Sequence, residues 1–402
     1  MNRREFLGAC GGLAASAALP RWAWAEDLPR GLKVTRIIGF DLPSKRAKFV
    51  GKNSRLGDHG DHATDRMVRL ITHTGLEGLG NCRADEKALA QLLGKDPLAG
   101  FDPAGRRFTG PLASQTMPLW DLAGKVLKKP VYELLGGQGP ERVPVYDGSI
   151  YFADLMPRYA DRWQDRFKEE IDMGLKAGHR AFKIKIGRGA KWMPRAAGDA
   201  RDVEVIQLIR RHAGPDGVLG VDANNGYDPA GAQQFLAGAG DLDLAWVEEM
   251  FPEEVQADLA LKRFIAEHKW KTLVADGETQ GRLDVFKPFI EAKALDVLQA
   301  DMNRFGIEGI LDEAAMARPQ GIRVAPHNWG SRVGFFMQLH VARAVTNFFR
   351  AEQDPLVTDV LVADGYKIAD GVCAVPDAPG FGLRLDEARF AAEIKPKFDL
   401  RL

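Results

Sequence analysis

The 402-residue chain is short of cysteine, of charge of one sign and of long apolar runs. Three cysteines are too few for the dense disulfide framework of small secreted domains. Lys plus Arg and Asp plus Glu are each 55, giving zero formal charge, so neither a nucleic-acid-binding surface nor a membrane-binding face is expected. Past the N-terminus no apolar stretch has the length of a membrane-spanning helix. What remains is the composition of an ordinary globular protein, long enough for two domains and a large core.

The N-terminus has its own texture. A twin arginine (Arg3-Arg4), a mildly apolar Gly/Ala/Leu run and Ala23-Trp24-Ala25 follow in order, the pattern of a twin-arginine export signal over residues 1–25. The mature protein is expected to begin near Glu26 and to be periplasmic, with no membrane attachment once the signal is removed. Leu7-Gly8-Ala9-Cys10 imitates a lipobox but lies too close to the arginines to carry a lipid. Cys82 and Cys373 are then the remaining cysteines, and two separate buried thiols are the default expectation.

Residues 31–140 read as an α+β capping domain. Strand-like runs cover Leu32 to Ile38 and Met67 to Cys82, the second with a Thr74-Gly75 turn, and helices are expected over Glu86 to Leu93 and Pro111 to Leu127. Between the strands, the polar, basic stretch from Ser44 to Asp65 reads as a mobile loop. It contains Asp58-His59-Gly60-Asp61-His62, whose more interesting reading is a lid over a substrate. From Val143 onward, short apolar runs alternate with amphipathic stretches through eight strands, the last at Asn347 to Ala351. That order predicts a (β/α)8-type barrel over residues 141–360, followed by a C-terminal segment over 361–402.

Within the second of those strands, Phe182-Lys183-Ile184-Lys185-Ile186-Gly187 places two lysines on one face. Alone, such a pair is usually a solvated strand face. Aimed at one spot, the two ammonium groups should lower the pKa of at least one, making a base near neutral pH. The later strand ends deliver Asp222 with Asn224, then Glu248, Glu278, Asp301, His327 and Glu352, spaced 23 to 30 residues apart from Asp222 onward. Asp222, Glu248 and Glu278 would repel one another unless a cation neutralised them, and an all-oxygen site with open positions suits Mg²⁺. Asp301 beside His327 would orient the ring and stabilise its protonated form, the arrangement of an acid/base catalyst.

Several motifs follow one another in an order that resembles the mandelate racemase-like branch of the enolase superfamily. They are Trp120-Asp121, Leu134-Leu135-Gly136-Gly137, Lys183-x-Lys185, Val221-Asp222-Ala223-Asn224, Trp246-Val247-Glu248-Glu249, Gly277-Glu278, Gln299-x-Asp301, Pro326-His327 and Val375-Pro376-Asp377-x-Pro379-Gly380-x-Gly382. The resemblance implies that the C-terminal segment returns to the cap, that Asp222, Glu248 and Glu278 bind Mg²⁺, and that Lys185 is the base on one substrate face. It implies His327 with Asp301 on the other face, Lys183 tuning Lys185 or meeting the substrate carboxylate, and Glu352 hydrogen-bonding to the enediolate. Met250 stands where the family usually has proline, and Gly306-Ile307 where a glycine pair is expected. Asp301 in place of a lysine counts against a muconate-cycloisomerase-like reaction.

Such a site removes the proton α to a carboxylate. Dehydration of an acid sugar to a 2-keto acid is the preferred outcome, with Asn224, His59 and His62 as candidate substrate contacts. The alternatives are racemisation or epimerisation of a 2-hydroxy acid and, in another class, a non-catalytic barrel that binds carboxylate or metal. The expected partner is a small-molecule carboxylate, and the protein is expected to be a homo-oligomer.

Overall fold

The computed structural model describes residues 28, 29 and 31–402; the export signal expected over residues 1–25 lies outside the described residues. Eight barrel strands run Arg142–Ile150, Ala181–Lys185, Val218–Asp222, Leu244–Glu248, Leu273–Asp276, Val297–Leu298, Arg323–Val324 and Ala351–Gln353. The first seven are each followed by a helix, and each strand pairs in parallel with the next from first to seventh. The eighth pairs with the first. Between seventh and eighth, Val324 N–H donates to the Asn347 carbonyl at 2.9 Å and Phe349 N–H to the Val324 carbonyl at 2.8 Å. The eighth strand thus begins where the sequence reading ends it, because residues 347–349 are spent on joining the ring.

The cap is an antiparallel sheet of Val34–Val50, Gly60–Thr72 and Glu77–Asn81. Two C-terminal strands join its first strand, Leu356–Val357 near the tip and Pro396–Arg401 at the base. The C-terminal strand therefore pairs with the first strand of the described residues. The Ser44 to Asp65 stretch is not a loop: Lys45 pairs with His62 and Val50 with Gly60, leaving only residues 51–59 as the tip. Burial alternates there as in any strand, but the buried positions are Ser44, Arg46 and Lys48. Arg46 pairs with Asp354 at 2.5 Å and Lys48 with Glu170 at 2.5 Å. A pattern with its charges facing inward carries no apolar period for sequence reading to detect.

Helix Met117–Leu127 begins later than expected from Pro111 and packs its buried face on the cap sheet. Its Asp121, fully buried, accepts hydrogen bonds from Leu79 N–H at 2.8 Å and Phe381 N–H at 2.9 Å and pairs with Lys125 at 2.7 Å. One carboxylate thus joins cap sheet, cap helix and C-terminal return. Gly380 makes this possible: its φ is +70°, and a Cβ would stand 2.3 Å from the Asp121 carboxylate. Gly306, with φ of 66°, interrupts the helix after the sixth barrel strand, and a Cβ there would lie 2.1 Å from the Ser114 carbonyl of the cap. The second glycine expected beside it is a buried Ile307 that packs in the core. Cys82 and Cys373 are separate buried thiols.

Asp121→Ala would leave two buried N–H groups without acceptors, at about 1–3 kcal/mol each. The expected loss is roughly 2–4 kcal/mol of unfolding free energy, read from urea midpoints at unchanged m-value; a loss below about 1 kcal/mol would show that the junction does not depend on this carboxylate.

Candidate active site

The parallel register sets Lys185 beside Asp222 and Asp222 beside Glu248, and Glu278 follows the fifth strand across Gly277, whose φ is 128°. Asp222, Glu248 and Glu278 each bring a carboxylate oxygen to within 4.8 Å of the others. One Glu278 oxygen is buried with no hydrogen-bond partner. Oxygen-only donors from three converging carboxylates fit a hard divalent cation.

Lys183 Nζ lies 2.6 Å from Glu248, 2.9 Å from Glu352 and 3.2 Å from Asp222, and Lys185 pairs with Asp222. The expectation is that at least one of the two lysines has a lowered pKa, and Lys183 is not that one. Burial does lower its pKa, but Glu248, Glu352 and Asp222 outweigh burial and hold it well above the ordinary lysine value. Burial raises Glu248 to about 7 even against Lys183, whereas Lys185 and Lys183 overcome burial at Asp222 and keep it ionised.

His327 and Asp301 meet as the sequence spacing implies, Nδ1 to carboxylate at 2.7 Å, while Nε2 stands 3.4 Å from Glu278. Asp301 also caps the following helix by accepting Arg304 N–H at 2.8 Å, which fixes its carboxylate. Burial alone would make His327 less basic; Glu278, Asp301 and Glu352 reverse that and raise it to about 10. That direction, toward the protonated ring, suits a proton donor. Glu352 accepts Asn328 N–H at 2.8 Å, and Lys183 and His327 hold its pKa below normal despite burial. Ionised, it is an acceptor, so the expected hydrogen bond from Glu352 to an enediolate requires it first to gain a proton.

The candidate substrate contacts separate. Asn224 donates to Glu249 at 2.9 Å, and its buried carbonyl oxygen has no partner. His59, at the end of the cap tip, packs against Tyr151 and Trp329 at centroid distances of 4.7 and 5.8 Å. His62 is left outside: its side chain is 66% exposed and its ring sits 2.5 Å from Asp61. Residues that the sequence reading missed complete the rim. Tyr151 follows the first strand, its ring 5.2 Å from Lys185 Nζ; Ser54 of the tip donates to the Ala223 carbonyl at 2.6 Å. Glu249, Glu253 and Asp276 form a further carboxylate cluster, in which burial, Glu278 and Asp222 push the Glu249 carboxyl well above its ordinary value. Tyr151 directly follows the first strand, and Trp329 lies two residues after His327 in the loop beyond the seventh; position near a strand end is the one signal that could have marked them.

A family model described as Enolase C-terminal domain-like matches residues 166–389. The fold matches galacturonate dehydratase from Geobacillus sp., solved with D-galacturonate and 5-keto-4-deoxy-D-galacturonate, at TM-score 0.81 and 31% identity over 90% of this chain and 96% of that one. A mandelate racemase/muconate lactonizing protein from Geobacillus sp. Y412MC10, complexed with magnesium and tartrate, matches at TM-score 0.82 and 30% identity, covering 91% and 96%. D-galactarolactone cycloisomerase of Agrobacterium fabrum is 29% identical over 81% of this chain and 90% of its own length. The motifs, the barrel with its rim of carboxylates, lysines and histidine, and these similarities agree: the chain belongs to the enolase superfamily, within the mandelate racemase and muconate lactonizing enzymes.

Proposed function

We propose that the protein is a Mg²⁺-dependent dehydratase of an acid sugar, taking the α-proton and the β-hydroxyl as water and leaving a 2-keto acid. The observation that carries this reading is that Lys185, on the second strand, and the His327–Asp301 pair, beyond the seventh and sixth, border the same three-carboxylate cluster. Galacturonate dehydratase among the similar structures supports the class of substrate.

Asp222, Glu248 and Glu278 would hold the Mg²⁺. Bound there, the ion supplies positive charge that makes a substrate carboxylate better able to take up the electrons of a departing α-proton. Lys185 Nζ takes that proton. Glu352 keeps Lys183 and the backbone after His327 in place through its two oxygens. His327 then gives its Nε2 proton to the β-hydroxyl; the C–O bond breaks, water leaves, and the enol product tautomerises to the keto acid. Asn224 and His59 are the proposed substrate contacts, and His62 is not carried forward.

Proton NMR in D₂O with Mg²⁺ and a panel of aldonates, uronates and 2-hydroxy acids tests this. The wild type is expected to convert one or more polyhydroxylated acids to the keto acid. Deuterium at an inverted α-carbon without loss of water would replace dehydratase by racemase or epimerase, a cyclised product would point to a cycloisomerase, and Mg²⁺ binding with no exchange on any acid would leave a non-catalytic barrel.

On the same substrate, Lys185→Ala should lose both α-proton exchange and dehydration by about 10²- to 10⁴-fold. His327→Asn should keep exchange and lose dehydration to a similar degree; dehydration surviving either change sinks the assignment.

EDTA should abolish turnover, and added Mg²⁺ should restore it in the wild type but not in Glu278→Gln. Restoration in that variant at wild-type Mg²⁺ concentration would remove Glu278 from the metal site.

We further propose export through the twin-arginine signal. Mass spectrometry of the exported protein should find an N-terminus at Glu26, and export undiminished in an Arg3→Lys, Arg4→Lys variant would refute the route.

A further inference from the structure

Three rings from three parts of the chain meet beside Lys185. Tyr151 follows the first barrel strand, Trp329 follows the seventh, and His59 comes from the cap. Tyr151 and Trp329 stack with centroids 4.8 Å apart and planes inclined by 28°. Arg46 fixes the group from behind. Its guanidinium carbon lies 4.6 Å over Trp329, its fork grips Asp354 at 2.7 and 2.5 Å, and its remaining nitrogen donates to the carbonyls of His59, Gly60 and His62 at 3.5, 3.3 and 3.1 Å. Asp354 in turn accepts Gly330 N–H at 3.0 Å, next to Trp329.

The indole N–H of Trp329 lies 3.0 Å from His59 Nδ1. Indole nitrogen can only donate, so Nδ1 must accept, and the single ring proton of a neutral imidazole then resides on Nε2. A protonated ring would set two donors against each other. Independently, burial and the positive charges of Lys185 and Arg46 lower the His59 pKa to about 4. The Nε2 atom is buried and has no hydrogen-bond partner in the protein, which is costly for a donor unless something else supplies the acceptor.

We propose that His59 is a fixed neutral donor whose Nε2–H reads an oxygen of the substrate beyond the two reacting carbons, and that Trp329 is its positioning residue. The inference rests on the acid-sugar reading above and narrows it. The substrate carries a hydroxyl or carbonyl oxygen at that position, and an acid with an ammonium group there is rejected, because it would meet an N–H donor with Arg46 and Lys185 close by. A three-carbon acid, having no such oxygen, leaves His59 unused.

The test is nitrogen NMR of the full-length mature protein labelled with ¹⁵N-histidine, the His59 signals being those lost in His59→Gln. At pH 7 the ring should be a single neutral tautomer protonated at Nε2, and Trp329→Phe should turn it into a mixture of tautomers. An imidazolium, or a ring protonated at Nδ1, overturns the proposal before any substrate is added. With Mg²⁺ present, D-galactonate should move the Nε2–H resonance and lactate should not. In kinetics on the best six-carbon acid, His59→Phe should lower kcat/KM about tenfold or more, chiefly through KM, with partial recovery in His59→Gln, which keeps an N–H. An unmoved His59 signal on an acid whose α-proton does exchange overturns this inference alone. Absence of exchange on every acid in the wild type is failure of the underlying reading, while the tautomer result still decides how His59 is held.

Discussion

The ammonium of Lys183 sits among Glu248, Glu352 and Asp222 at 2.6, 2.9 and 3.2 Å, fully out of water. These four charges come from the second, third, fourth and eighth barrel strands, so a single buried cluster ties together the ends of strands far apart in sequence. Buried charges contribute little net stability when paired and cost a great deal when one partner is lost. Their value lies in fixing position. The three carboxylates around Lys183 and the one beyond it, Glu278, are held where a cation and a substrate carboxylate can meet them, and Glu278, Asp301 and Glu352 favour the protonated form of His327 on the far side.

The cap is what turns this rim into a site. Its first two strands run past the barrel mouth as a long hairpin, and the residues that seat it are polar: Arg46 on Asp354, Lys48 on Glu170, Ser54 on the Ala223 and Asn224 carbonyls. Because Arg46 also stacks on Trp329, the placement of the lid and the orientation of the aromatic wall beside Lys185 are one event. At the other end of the cap, Asp121 performs the matching task for the C-terminal return, with Gly380 as the only residue type that lets the two backbones approach so closely. The C-terminal strand thus meets the first strand of the described residues on the cap.

Much of this was legible beforehand because it rests on local rules. Alternating apolar runs gave the barrel, and the spacing of Asp222, Glu248, Glu278, Asp301, His327 and Glu352 matched one polar residue per β/α unit. Parallel strands in register convert that spacing directly into adjacency. The hairpin over Ser44 to Asp65 was illegible for the opposite reason: its inward positions are charged, and their partners lie more than a hundred residues away.

The amino-acid sequence by itself determined which side chains stand at the strand ends, hence the fold, the carboxylate set and the paired Asp301 and His327, since each follows from a period or a spacing along one stretch of chain. Only the tertiary structure decided their protonation and their surroundings. Whether Lys183 is a depressed or an elevated lysine depends on three carboxylates from other strands, whether His59 or His62 packs on Tyr151 and Trp329 depends on where the hairpin turns, and which nitrogen of His59 carries its proton depends on Trp329, 270 residues later. Charge and hydrogen bonding act through space over a few ångströms, and sequence distance holds no record of which groups folding brings that close.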